Sequence, residues 1–140
     1  MAERERGTVL LLMPAAVIVL LVLGAITFDY AHVYLAKQEL QTAAEAAAQD
    51  AVTFGVDQAA VRRGDGARLD PDLVQRAVET SLAVHDRDLV LEGPPVVTEV
   101  DDTHVRVALT ARVSYVFVPV VPGVPGSTVV RAEALATALP

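Results

Sequence analysis

The sequence predicts an α+β fold: one long N-terminal helix, transmembrane in its first part and extracytoplasmic in its second, packed on a small, mostly antiparallel sheet. Three observations predict it. Val9 to Phe28 is a run of 20 residues without a charged side chain. Asp29 to Arg62 follows with no Pro, a single Gly at Gly55, and many Ala. From Asp88 onward the apolar residues recur at every second position, so the helical period of 3.6 gives way to the strand period of 2.

The apolar run comes first. Its only polar side chain is Thr27. As a helix it is about 30 Å long, which matches the hydrocarbon core of a bilayer. Pro14 and Gly24 interrupt it in composition. A membrane helix accepts both more readily than a helix in water, because lipid strongly favours helix and freed backbone groups are re-satisfied locally. A buried core helix is the soluble alternative, but a domain this small would not bury 20 uncharged residues. A cleaved secretory signal is another, with Leu23-Gly24-Ala25 as its cleavage context. Arg4 and Arg6 precede the run and only Lys37 lies close after it. The positive-inside rule then places residues 1–8 in the cytoplasm. With one such run, the chain is expected to be single-pass in the cell (inner, cytoplasmic) membrane. The part from residue 29 carries 16 acidic and 9 basic residues and would lie outside.

The second stretch reads as a continuation of the same helix. Leu35 to Ala51 is almost wholly Ala, Leu, Gln, Glu and Lys, the strong helix formers. With no breaker between the two stretches, the pattern predicts one helix from Val9 to about Ala60, an extracytoplasmic continuation over 29–62. Val33, Ala36, Leu40, Ala43, Ala47, Ala51 and Phe54 share one face at three- and four-residue steps. A seam of Ala gains little by burial but lets another helix or a sheet approach closely. Two occupants fit: the chain's own sheet, or other such helices, including a homo-oligomer through this face. Asp29, Tyr30 and Tyr34 stand just past the apolar run. The tyrosines suit the headgroup layer, and Asp29 reads as an interface group.

The rest, residues 70–140, reads as a short helix and three or four strands. Gly64-Asp65-Gly66 is a turn. Asp70-Pro71 is a helix start, with Asp as N-cap and Pro at the first helical position, and the helix runs to about Val84. Asp88–Glu92 and Val96–Val100 are short strand candidates. Val105, Val107, Leu109, Ala111, Val113, Tyr115 and Phe117 share one face of a longer strand. Pro119 to Gly126 is an extended loop. A last strand covers Thr128–Thr137 with Val130, Ala132, Ala134 and Ala136 facing in. The apolar sheet face needs a cover, and the helices are the candidates.

Composition narrows function. A net charge of -7 gives no electrostatic reason to bind nucleic acid. The absence of Cys removes disulfides, thiol nucleophiles and cysteine metal sites. His32, His85 and His104 fall in different elements without ligand spacing. Asp86 and Asp88 near His85 form a common loop pattern, and Asp101-Asp102 reads as a turn. There is no phosphate loop, serine elbow or paired-carboxylate motif. The reading is a non-enzyme with no cofactor and no metal, whose first partner is the lipid bilayer.

Arg6-Gly7-Thr8 ahead of the apolar run, then Asp29, Tyr34-Leu35-Ala36, Glu39-Leu40-Gln41 and Ala43-Ala44-Glu45-Ala46-Ala47-Ala48, resembles the N-terminal region of TadE/TadG-like proteins of the tight-adherence (Flp) pilus assembly machinery. The likeness covers about residues 6–55 and extends, less specifically, to the strand region ending in Val129–Thr137. It implies a pseudopilin-like, non-catalytic membrane component of pilus assembly or secretion, with other pilus assembly proteins or pseudopilins as partners. It also implies a candidate processing site after Gly7. The Glu that pilins carry at the fifth mature position is here Leu12, which points toward TadG-like members, whereas the length is TadE-like. Pro14, Gly24, Asp29, Tyr34, Leu40, Ala43 and Ala47 are the residues expected to carry membrane placement and helix packing. The alternative reading is a membrane-tethered or secreted binding domain unrelated to pili.

Overall fold

A computed structural model describes residues 2–85, 90–118, 123 and 125–138, with residues 2–11, 85, 99 and 100 described by their backbone only. The fold is α+β. Helix α1 (Ala2–Phe54) is followed by a short α2 (Gln58–Arg63) and by α3 (Pro71–His85). Strands β1 (Val96–Asp101), β2 (His104–Ser114) and β3 (Ser127–Thr137) then form one antiparallel sheet in the order β1-β2-β3.

At 53 residues, α1 is about 80 Å long and contains Pro14 without a break. Among the described residues it is the one helix long and apolar enough to cross a membrane. The apolar side chains from Leu12 to Phe28 are exposed almost throughout, Leu20 and Leu21 at 68% each. A core helix of a soluble domain would have hidden them, so this half of α1 is built for an apolar medium.

The helix stops at Phe54, short of the Ala60 that the pattern predicts. Gly55 is the reason. The chain turns there so that Asp70 N–H donates to Gly55 O at 2.8 Å and Asp57 N–H to Arg68 O at 2.8 Å, with Val56 bridged to Leu69. A Cβ on Gly55 would lie 2.3 Å from Ala51 O and 2.5 Å from Val74 Cγ2, so only Gly lets α3 come this close. Asp57 then caps α2, accepting Ala59 N–H at 2.7 Å. Because the helix ends at Phe54, that ring does not join the buried seam. It is exposed, beside Leu73, Ala77 and Val84 of α3.

Helix α3 begins as predicted. Asp70 Oδ1 accepts Asp72 N–H at 2.9 Å and Leu73 N–H at 3.3 Å, and Pro71 opens the first turn. Val74, Val78 and Leu82 face the core.

Among the described residues the sheet has three strands. Leu91 does not begin a separate one: it bridges Ala111 on the β2 edge that β1 occupies further along. Glu92 N–H donates to Thr110 O and Arg112 N–H to Val90 O. Gly93-Pro94-Pro95 lies between these two stretches, because Pro cannot donate to a ladder. Asp88 and Leu89, also read as strand, lie outside the described residues. On β2, Val105, Val107, Leu109, Ala111 and Val113 are buried, and on β3 Val130, Ala132, Ala134 and Ala136. The buried alternation ends with β2 at Ser114. Tyr115 N–H closes the ladder onto Gly126 O, and the chain then leaves the sheet, so Phe117 is exposed and does not extend the buried face.

Helix α1 covers this face, packing on β2 and β3, and α3 packs on α1. Leu40, Ala43, Ala44, Ala47, Ala48, Ala51 and Val52 all belong to the core. Small residues on both α1 and β3 let helix and sheet approach closely, and Leu40 and Leu109 supply the largest fully buried side chains.

Candidate functional site

The predicted placement residues divide into three groups. Leu40, Ala43 and Ala47 meet in the core under the sheet. The Ala-rich face is thus occupied by the chain's own sheet and α3, and is not an open seam for a second copy. Pro14, Gly24 and Tyr34 lie on α1 outside the core. A Cβ built on Gly24 meets nothing within 4 Å. Gly7 is within the first turns of α1. Asp29 stands apart from both groups.

Asp29 follows the apolar run directly, yet its side chain is only 2% exposed. Beyond Ser114, the N–H groups of Val116, Phe117 and Val118 have left the sheet, and the Asp29 carboxylate takes all three. Val116 N–H donates to Oδ1 at 2.7 Å, Phe117 N–H reaches both oxygens at 3.1 Å, and Val118 N–H donates to Oδ2 at 2.8 Å. Successive N–H groups converging in this way form a small anion-binding nest, here filled by the chain's own carboxylate. Burial pushes the Asp29 carboxyl up, but the three N–H groups, aided by His32 one turn along the helix, outweigh it and hold the group below its ordinary value. The Phe28 and Phe117 rings close the arrangement edge to face, with centroids 5.4 Å apart.

What this cluster does is mechanical. An ionised carboxylate that accepts three backbone donors has little basicity to lend, and it fixes a loop to the point where α1 leaves its apolar half. Residues 87 to 89 positions apart in sequence are joined there. The sequence pattern does not reveal the loop residues. The alternation that runs through β2 continues in sequence through Tyr115 and Phe117, and it masks the point where the strand ends. The available signal was Asp29 itself, an acidic residue directly against an apolar run and in need of donors.

Among the described residues, the other polar side chains form no comparable centre. His104 Nδ1 lies 2.7 Å from Asp101 Oδ1 in the β1–β2 turn, where Thr103 N–H and Oγ1 also donate to that oxygen at 2.8 Å. The His104 ring and both Thr103 donors hold the Asp101 carboxyl well below the carboxylate range. His32 is on α1, and Asp86 and Asp88 lie outside the described residues. Among the described residues no group of three or more His, Cys, Asp or Glu could hold a metal ion.

Residues 7–62 match the family model described as putative Flp pilus-assembly TadE/G-like. The likeness read from residues 6–55 is therefore supported, over α1 and most of α2, and the match includes Asp29. It stops before α3 and the sheet, so the strand-region likeness lies outside it. No curated protein and no solved structure gives a significant match.

Proposed function

We propose that this chain is a non-catalytic, membrane-anchored component of a Tad/Flp-type pilus assembly or secretion system, acting as a minor pseudopilin-like protein. The observation that carries the reading is the family match over residues 7–62, which falls on the helix whose exposed apolar half is sized for a bilayer. Residues 9–28 serve as the anchor, and the sheet domain is held outside the inner membrane. Because Leu40, Ala43 and Ala47 are spent on the chain's own core, contact with other pilus assembly proteins or with a second copy falls to the exposed span, around Pro14 and Gly24. Gly7 is the candidate processing point.

The test is deletion of the chain in its native host, followed by imaging of surface pili and complementation. Loss of pili, restored by the intact chain but not by one whose residues 9–28 are exchanged for an unrelated single-pass span, supports the proposal. Unaltered piliation in the deletion strain overturns it. Mass spectrometry of the mature N-terminus adds the processing state: Thr8 as first residue marks cleavage after Gly7, whereas Met1 or Ala2 marks an uncut anchor.

A further inference from the structure

The loop that Asp29 holds is apolar and outward-facing. Val116 and Phe117 are exposed although their backbone is tied down by hydrogen bonds. The chain carries no charged residue from Val113 to Val130, where a connection between two strands is ordinarily polar. Phe117 and Val118 line a groove together with Leu21, Val22, Ala25, Ile26 and Asp29. Four of those residues belong to the apolar run, so the medium around that part of the run is also the medium at Phe117 and Val118.

The hydrogen bonds point the same way. In water, the N–H groups of Val116, Phe117 and Val118 could be left to solvent at little cost. In lipid, each must be satisfied within the protein. Asp29 satisfies all three, and they in turn compensate its charge, so loop and carboxylate can enter a poorly hydrated layer together.

We propose that Val116–Val118 is a second lipid contact, seated in the interfacial layer of the leaflet that α1 leaves at Phe28. The groove beside it takes an acyl chain. This rests on the reading of residues 9–28 as the membrane anchor. The occupant is bilayer lipid, because the groove is continuous with the span and presents apolar side chains beside an aromatic ring, as interfacial anchors do. The sheet domain then sits on the membrane surface by two points and is not carried away from it on a free rod. Asp29 is a positioning residue for the loop.

The chain has no Cys, so single-cysteine variants label cleanly. Full-length Val116→Cys, Thr98→Cys on β1 and Val19→Cys in the span are each coupled to an environment-sensitive fluorophore. They are reconstituted in phosphatidylcholine–phosphatidylglycerol vesicles, with and without nitroxide-bearing lipid. The expected result is blue-shifted emission at position 116, quenched by nitroxide near the headgroup and protected from aqueous iodide. Position 98 should show the reverse. Asp29→Asn in the Val116→Cys background should move position 116 toward the behaviour of position 98. Water-like behaviour at 116 while position 19 is quenched by lipid overturns the proposal and leaves the anchor standing. Protection from iodide without lipid quenching means a protein covers the loop, and also overturns it. Absence of lipid quenching at position 19 removes the anchor itself, and this proposal with it.

Discussion

The two halves of α1 follow opposite rules. From Leu12 to Phe28 the side chains are mostly large and apolar, and nearly all are exposed. From Leu40 to Val52 the buried side chains are mostly Ala, and several reach zero exposure. Ranked by hydrophobicity alone, the burial is inverted. Burial is set by what lies alongside. Among the described residues, Phe117 and Val118 lie beside the end of the first half, and its bulky side chains suit lipid. The second half lies between a sheet and another helix, where bulk would hold the layers apart. One uninterrupted helix is thus written for two solvents, and Asp29 stands at the change.

The same substitution placed in each half gives the largest contrast. Leu40→Ala removes the bulkiest fully buried side chain of α1 and should cost about 3 kcal/mol, within the range for Leu-to-Ala cavities. Leu20→Ala, at an exposed position, should leave the domain's stability within about 0.5 kcal/mol of the parent. Hydrogen exchange of the β2 amides in detergent micelles measures both, because those amides open only when the core does. Equal effects would show that the exposed half is packed on the domain in solution, and the division of α1 would fail.

Gly55→Ala tests where the second half ends. The added methyl meets Ala51 O and Val74 Cγ2 well inside contact distance, and a cost of about 1–3 kcal/mol is expected from overpacking. Urea unfolding followed by circular dichroism reads it. A neutral result would mean α3 can retreat without loss.

This position also marks how far the sequence could be read. The apolar run, the Asp70-Pro71 helix start and the alternation on β2 and β3 are local patterns, and each is visible without the fold. The end of α1 is not local. One Gly among Ala and Val is a weak stop, and what fixes it is Val74, packed against it from α3. The β2 edge is similar: two short strand patterns separated by Gly93-Pro94-Pro95 look like two strands until both are seen to meet one neighbour. Asp29 could be noticed in sequence as an oddity. Its partners could not, since backbone N–H groups leave no mark on residue type.

The boundary between the halves titrates. The folded pKa of Asp29 lies below the ordinary value of 3.8, so its tie to the loop contributes fully above that value and fades as pH falls through the lower, folded one. Amide exchange at Val116, Phe117 and Val118, normalised for intrinsic rate, should stay protected down to the ordinary carboxylate range and loosen only at more acid pH. Asp29→Asn keeps one acceptor oxygen but no charge, so its protection should be lower at neutral pH and insensitive to acid. An acid response at these amides that persists in Asp29→Asn would assign the tie to another group.

The smallest effect on stability should come from Gly24, and it separates lipid from protein as the partner of the exposed half. Nothing lies within 4 Å of a Cβ built there, in contrast to Gly55 at the other end of the same helix. Gly24→Ala should therefore leave the domain's unfolding unchanged, or raise helix stability by about 0.5–1 kcal/mol through the lost freedom of glycine. Gly24→Ile should be equally silent in the isolated chain. In native membranes it should lower copurification with pilus assembly partners, because a small residue on a membrane helix permits close approach of another helix and a branched one blocks it. Unchanged copurification with Gly24→Ile would leave lipid as the sole neighbour of that face, and the contact with partners would have to be made by the sheet domain.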